Sequence, residues 1–213
     1  MRNKLLNTLG AGALALGALN LVPSAAQAAP ATLHDSFAGT YKIDHDHSLA
    51  WFTVEHARVS EFVGRFDKIA GTYTFDPKDP AKDKVEVTIP VDSLDTNFAM
   101  RNRDLLGPDF FNAREFPDIK FVSTRYEPTG KHTGKLYGNM TLHGTTHPIV
   151  FRVRQIGAGP VNALPKPWGG YLSGYVATAT IKRSDFGVSA YEGMIGNRVR
   201  LHINIEGVRT GHS

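Results

Sequence analysis

From Tyr41 onward, apolar and polar residues alternate with period two in segment after segment. Ser48, Ala50, Phe52, Val54 and His56 fall on one face of a strand, with Trp51, Thr53 and Glu55 on the other. Val85, Val87 and Ile89 alternate with Glu86 and Thr88. Ile119, Phe121 and Ser123 alternate with Lys120, Val122 and Thr124. Leu136, Met140 and Leu142 make a further set, with Gly138 placed where a bend or close approach fits. Ile149, Phe151 and Val153 oppose Val150, Arg152 and Arg154, and Val199, Leu201, Ile203 and Ile205 oppose Arg200, His202, Asn204 and Glu206. Shorter strands are predicted at 41–43, 64–66, 71–75 and 171–181.

Turn chemistry separates these runs. Asp76-Pro77-Lys78-Asp79-Pro80, Glu127-Pro128-Thr129-Gly130 and His143-Gly144-Thr145-Thr146 read as short connectors, and 157–170, with Pro160, Pro165 and Pro167, as a longer loop. Only 96–111 resists the strand pattern, and it predicts a helical turn or two. No internal repeat and no linker divide the chain. The pattern predicts one all-β antiparallel domain, a barrel or a sandwich.

The first 28 residues follow a different rule. Arg2 and Lys4 precede an uncharged run from Leu5 to Val22, and Ala26-Gln27-Ala28 supplies the small-x-small site of a signal peptidase. Residues 1–28 are expected to be a cleaved leader and 29–213 the single β domain. A spanning helix fits poorly, because Asn7, Gly10, Gly12, Gly17 and Asn20 interrupt the run. Loss of Arg2 and Lys4 leaves a nearly neutral chain, so charge gives no reason to expect nucleic acid as a partner. The sequence has no Cys, which excludes disulfide scaffolds, thiolate metal centres, thiol nucleophiles and an acylated-Cys anchor. An outer-membrane barrel would turn its apolar face to lipid. Short strands, the polar end at 209–213 and the lack of paired aromatic girdles favour an inward apolar face and no stable membrane insertion.

Candidate chemistry is sparse. His45-Asp46-His47 carries metal-ligating types, yet two imidazoles are too few and spacing identifies no third ligand; a polar turn is the expectation. His143 and His147 flank Gly144 and precede Pro148, which also reads as a turn. Asp185-Phe186-Gly187 matches a kinase triplet with none of its companions, and no serine sits in a nucleophile elbow. His56 shares a face with Phe52 and Val54, so it is expected to point to the apolar side, first as a hydrogen-bonded core histidine and alternatively as a polar handle on an apolar lumen. Arg101 and Arg103, before Phe110-Phe111, are candidates either to hold an anionic or polar head at a mouth or to make ordinary surface salt bridges.

These residues together resemble the YceI family of exported, lipocalin-like, polyisoprenoid-binding proteins. The resemblance rests on Tyr41-Lys42-Ile43-Asp44 with Ser48, Phe52-Thr53-Val54-Glu55-His56, Val63-Gly64-Arg65-Phe66 and Arg101-Asn102-Arg103-Asp104-Leu105 leading to Asp109-Phe110-Phe111-Asn112. It continues through Phe116-Pro117-Asp118-Ile119-Lys120-Phe121-Val122-Ser123, the run from Gly138 to Pro148, Ile181-Lys182-Arg183-Ser184-Asp185-Phe186-Gly187 and Val199-Arg200-Leu201-His202-Ile203. The family usually reads Arg-Asp-x-His-Leu where this chain has Arg101-Asn102-Arg103-Asp104-Leu105, so charge and donor pattern differ there.

The resemblance implies an antiparallel eight-stranded lipocalin-like barrel with an apolar lumen, holding an isoprenoid or other long-chain amphiphile. It implies periplasmic residence, a homodimer, no catalysis and no cofactor. Phe52, Val54, Phe121, Met140, Phe151, Phe186 and Leu201 are the expected lumen contacts. His56 and Arg101 are expected nearest the polar end. Phe110, Phe111, Ser123 and Trp168, in the Pro167-Trp168-Gly169-Gly170 loop, complete the expected site. A fatty acid or fatty amide satisfies the same tube. A different class of reading, an exported metal-dependent enzyme, would draw on His45, Asp46, His47 or His56.

Overall fold

The period-two segments close on one another through a single antiparallel ladder. The computed structural model describes residues 37–211, so the predicted leader at 1–28 lies outside the described residues. In chain order the elements are β1 (Gly39–Ile43), β2 (Leu49–His56), β3 (Ser60–Phe66), β4 (Ala70–Phe75), β5 (Lys84–Pro90), β6 (Leu94–Asp95), α1 (Ala99–Leu106), β7 (Asp118–Gly130), β8 (Thr133–Leu142), β9 (Thr145–Val161), β10 (Gly170–Lys182) and β11 (Ile195–Gly211). β1 and β2 are two halves of one barrel strand, interrupted by a 3-10 turn at His45–His47, and β3 and β4 are likewise two halves of the next. β11 pairs with both β1 and β2, while β4 pairs with β1 and β3 with β2. From β5 each long strand pairs with its sequence neighbour. The result is a closed, eight-stranded, up-and-down antiparallel barrel with one short helix, which leaves no long edge unpaired.

Two ends follow from this meander. Turns 57–59, 143–144 and 183–194 and the segment 91–117 with α1 gather at one, the helix end. Loops 76–83, 131–132 and 162–169 gather at the other, called here the tyrosine end for the rings beneath it. Inward residues of all eight strands form one apolar cluster, in which Tyr41, Ile69, Val91 and Phe186 are almost wholly buried.

Two expected connectors are strand instead. Glu127-Pro128-Thr129-Gly130 lies inside β7, and the turn to β8 is made by Lys131 and His132. Register shifts between Ser123 and Arg125 and between Pro128 and Gly130 absorb the proline as bulges. The expected loop at 157–170 begins only after Val161. Gly157 to Val161 pair with β10, while the β8 ladder stops at Arg154, so Pro160 lies on a stretch paired on one side only.

Candidate ligand cavity

The lumen is lined by side chains from every side of the barrel: Ala50 and Phe52 of β2, Phe66 of β3, Val85, Val87 and Ile89 of β5, and Ile119 and Phe121 of β7. Leu136 and Met140 of β8, Phe151 of β9, Ala177 of β10 and Leu201, Ile203 and Ile205 of β11 complete it. The only charged residue at its border is Lys120, which is exposed. It contains about 700 Å³ of atom-free space counting its mouth, of which about 90 Å³ is wide enough for the centre of a water-sized sphere. This is a narrow apolar slot, suited to a slender chain rather than to a bulky or polar molecule. Phe121 and Phe151, from the two strands that flank β8, meet edge-to-face in its wall, with ring centroids 5.3 Å apart. The Phe121 ring lies over Gly138, in the space that a β-carbon there would occupy. The glycine in the β8 pattern is thus a close approach, as its position suggested.

The helix end is plugged by packed side chains. Phe111 stands edge-on to Phe66 at 5.6 Å and to Phe52 at 6.4 Å, and Leu105 and Leu106 pack against the same cluster. Phe186, on a 3-10 turn after β10, is 1% exposed and belongs to this plug; it does not line the slot. Beneath it the buried Arg183 guanidinium donates to the carbonyls of Val188, Gly196 and Ile195 at 3.0–3.1 Å, tying the 183–196 segment to itself.

Several expected polar contacts sit elsewhere. His56 is exposed, because β2 outruns the core in its last two residues and leads into a tight turn with Ala57 and Arg58. Arg101 does not face the lumen: its Nε and one Nη donate to the hydroxyl and carbonyl oxygens of Thr96 at 3.0 and 2.6 Å. Its guanidinium lies 4.3 Å from the Phe62 ring centroid. Its donors are thus engaged within its own segment, and it braces the start of α1. Val54 is buried but lies beyond the slot, and Phe110 stacks on Tyr191 at the outside of the plug. The Ser123 hydroxyl accepts the Val85 amide at 2.8 Å, holding β7 to β5. Trp168 is on the rim loop as expected, where its indole N–H donates to Asp46 at 3.0 Å. Of the expected contacts, Phe52, Phe121, Met140, Phe151 and Leu201 meet in the slot, and Phe111 backs it.

The polar feature that sequence reasoning missed is at the opposite end. Tyr41 and Tyr73 stack with centroids 4.9 Å apart, and Tyr175 stands edge-on to Tyr73 at 5.6 Å. The Tyr73 hydroxyl bonds both the carbonyl oxygen and the hydroxyl of Ser173. Burial pushes the phenols of Tyr41, Tyr73 and Tyr126 upward, so they stay neutral donors at any ordinary pH. Cross-strand pairing sets Tyr126 against Leu136 and Tyr175 against Ile205, both lumen residues. The signal was present in the alternation: Tyr175 falls on the same face as Ala177, Ala179 and Ile181.

The His45-Asp46-His47 segment is a turn, as expected, and forms a 3-10 helix capped by the Asp44 carboxylate. It also contains something spacing did not reveal. β11 brings Glu206 to it, so that Asp44, His47 and Glu206 each present a ligand-type atom within 4.8 Å of the other two.

Known proteins share this architecture. Residues 41–207 match the model of the YceI-like domain family. A UPF0312 protein of Pseudomonas aeruginosa is 38% identical over 180 residues, which is 84% of this chain and 91% of that one. The solved YceI protein of Campylobacter jejuni superposes with a TM-score of 0.64 at 28% identity, covering 74% of this chain and 90% of its own. A polyisoprenoid-binding domain from Saccharophagus degradans, implicated in plant cell wall breakdown, superposes with a TM-score of 0.58. It covers 80% of this chain and 98% of its own, and at 13% identity the likeness is one of fold.

Proposed function

The chain belongs to the YceI-like domain family, and from that premise we propose that it is an exported, non-enzymatic binder of an isoprenoid lipid, acting in the periplasm after cleavage following Ala28. The observation that carries the proposal is the slot itself: fifteen inward apolar side chains from all eight strands and no charged group inside. Each methylene transferred from water to such a wall contributes about 0.8 kcal/mol, so a prenyl chain binds firmly with few polar contacts. The polyisoprenoid-binding domain that shares the fold supports the choice of cargo. The polar end is assigned to the tyrosine end, where the Tyr41 and Tyr73 hydroxyls donate to Phe37 and Ser173 and the neutral phenol of Tyr126 is the donor offered to a phosphate or a quinone carbonyl. A carrier of this kind moves or stores a lipid that water would not dissolve; it needs no bond-making step.

The test is reconstitution. Lipid-stripped mature protein, refolded and mixed with a polyprenyl phosphate or a prenylated quinone, co-elutes with about one lipid per chain on gel filtration. Oleate and a fatty amide, added in separate runs, displace it only at large excess. Ala177→Leu and Phe121→Gln, which narrow the slot or make it polar, keep the native circular dichroism spectrum and lose most of the bound lipid. Equal retention by both folded variants counts decisively against the slot as the binding site.

A further inference from the structure

The break between β1 and β2 falls where β11 carries Glu206 past it, and the backbone locks the two sides together. The Asp44 amide donates to the Glu206 carbonyl at 2.9 Å, and the Glu206 amide donates to the Ser48 hydroxyl oxygen at 3.0 Å. Across this joint His47 Nδ1 lies 2.8 Å from Asp44 Oδ2 and 3.9 Å from Glu206 Oε1. The first of these is a hydrogen bond, and all three atoms lie within 4.8 Å of one another, so modest side-chain shifts bring them to the about 3.4 Å spacing of ligand atoms bound tetrahedrally to zinc. Asp44 is fixed in position, since its side chain is only 8% exposed and its other oxygen accepts the Asp46 amide at 3.0 Å. Glu206 alternates with Ile205, which lines the lumen, so its carboxylate belongs to the outer wall.

We propose that Asp44, His47 and Glu206 form an outer-wall site for a divalent transition-metal ion of the zinc class. One imidazole and two carboxylates suit a borderline cation better than calcium, which takes all-oxygen shells, and better than a soft ion, which takes sulfur. Two carboxylates balance the charge of a dication. Three donors leave a fourth position for water on the solvent side, where His47 is 47% exposed. An ion there would clamp the interrupted strand to β11 and stabilise the barrel at its β1–β2 joint. The site is separate from the lipid slot and stands or falls independently of it.

The test uses untagged mature protein, stripped with EDTA and titrated calorimetrically with zinc chloride. The wild type takes up one zinc per chain and its melting temperature rises; calcium chloride gives neither effect. His47→Ala and Glu206→Gln each weaken zinc binding at least about tenfold, while His56→Ala, at the helix end, matches the wild type. Glu206→Gln keeps the backbone bonds of the joint and serves as the deciding variant should His47→Ala fold poorly. Zinc affinity unchanged in Glu206→Gln, or no saturable uptake by the wild type, overturns the proposal.

Discussion

The two ends of the barrel are closed in opposite ways. At the helix end the lid is apolar and is held by strained turns. Among the described residues, all six non-glycine positions with left-handed backbone are there: Ala57, Arg58, Asn97, Asn112, His143 and Tyr191, with φ between 46° and 60°. The same tips expose Val59, Phe98, Met100, Tyr191 and Met194. At the tyrosine end closure comes from the stacked phenols of Tyr41 and Tyr73 and their hydrogen bonds to Phe37 and Ser173 respectively, over residues with φ in the ordinary range except at glycines. Packing closes one end and hydrogen bonding the other. An isoprenoid lipid has the same asymmetry, with a tail tip that wants only contacts and a head that wants donors. The contrast teaches that the slot has a direction as well as a width.

The largest test of this contrast removes the plug. Phe111→Ala deletes a ring packed against Phe52 and Phe66, and urea titration is expected to show a loss of about 3 kcal/mol. A loss under about 1 kcal/mol would mean that the plug does not close its end by packing. At the opposite end, Gly207 leaves room for the Tyr73 hydroxyl, which occupies the space of a β-carbon. Gly207→Ala therefore displaces the ring from Ser173 and costs about 2 kcal/mol; a melting temperature equal to the wild type would show the tyrosine stack to be soft.

A smaller effect separates the ends by pH. Asp83, on the tyrosine-end loop, has its pKa raised to about 6, first by burial and then by Asp76 and Asp79. The folded state favours the protonated acid, so this contribution to stability is complete below the ordinary carboxylate pKa and is lost as pH rises through about 6. With solvent screening of a half-exposed group, Asp83→Asn is expected to gain about 1 kcal/mol over the wild type at pH 7 and nothing at pH 4. An equal gain at both pH values would assign the effect to something other than ionisation. Smallest is relief of strain at the helix end. Arg58 has φ of 60°, and Arg58→Gly is expected to raise stability by roughly 0.5 kcal/mol. A loss of that size would show that the arginine side chain, rather than its backbone, matters to the turn.

Much of the architecture was legible because a barrel wall obeys the period-two rule with few exceptions. Val85, Val87 and Ile89 and the Leu201, Ile203 and Ile205 series line the slot as their alternation suggested. The rule failed at strand ends. His56 keeps the phase of Phe52 but lies past the core, where alternation no longer implies burial. Arg101 could not be placed because cationic side chains near a mouth look alike in sequence; its bonds to Thr96 depend on how α1 begins. Phe186 had the right character and the wrong address, since a 3-10 turn carries it into the plug. The Asp44, His47 and Glu206 cluster was invisible for a topological reason: its third member comes from the last strand, which closes the barrel against the first.

The central claim is that the apolar slot carries a prenyl lipid, and native mass spectrometry of the protein as its cells make it tests it most directly. Released without detergent and then extracted with solvent, the protein is expected to show one organic adduct at near-unit occupancy, identified as a polyprenyl phosphate or prenylated quinone. A protein with an empty slot, or one carrying a fatty acid or fatty amide in that place, would contradict the claim.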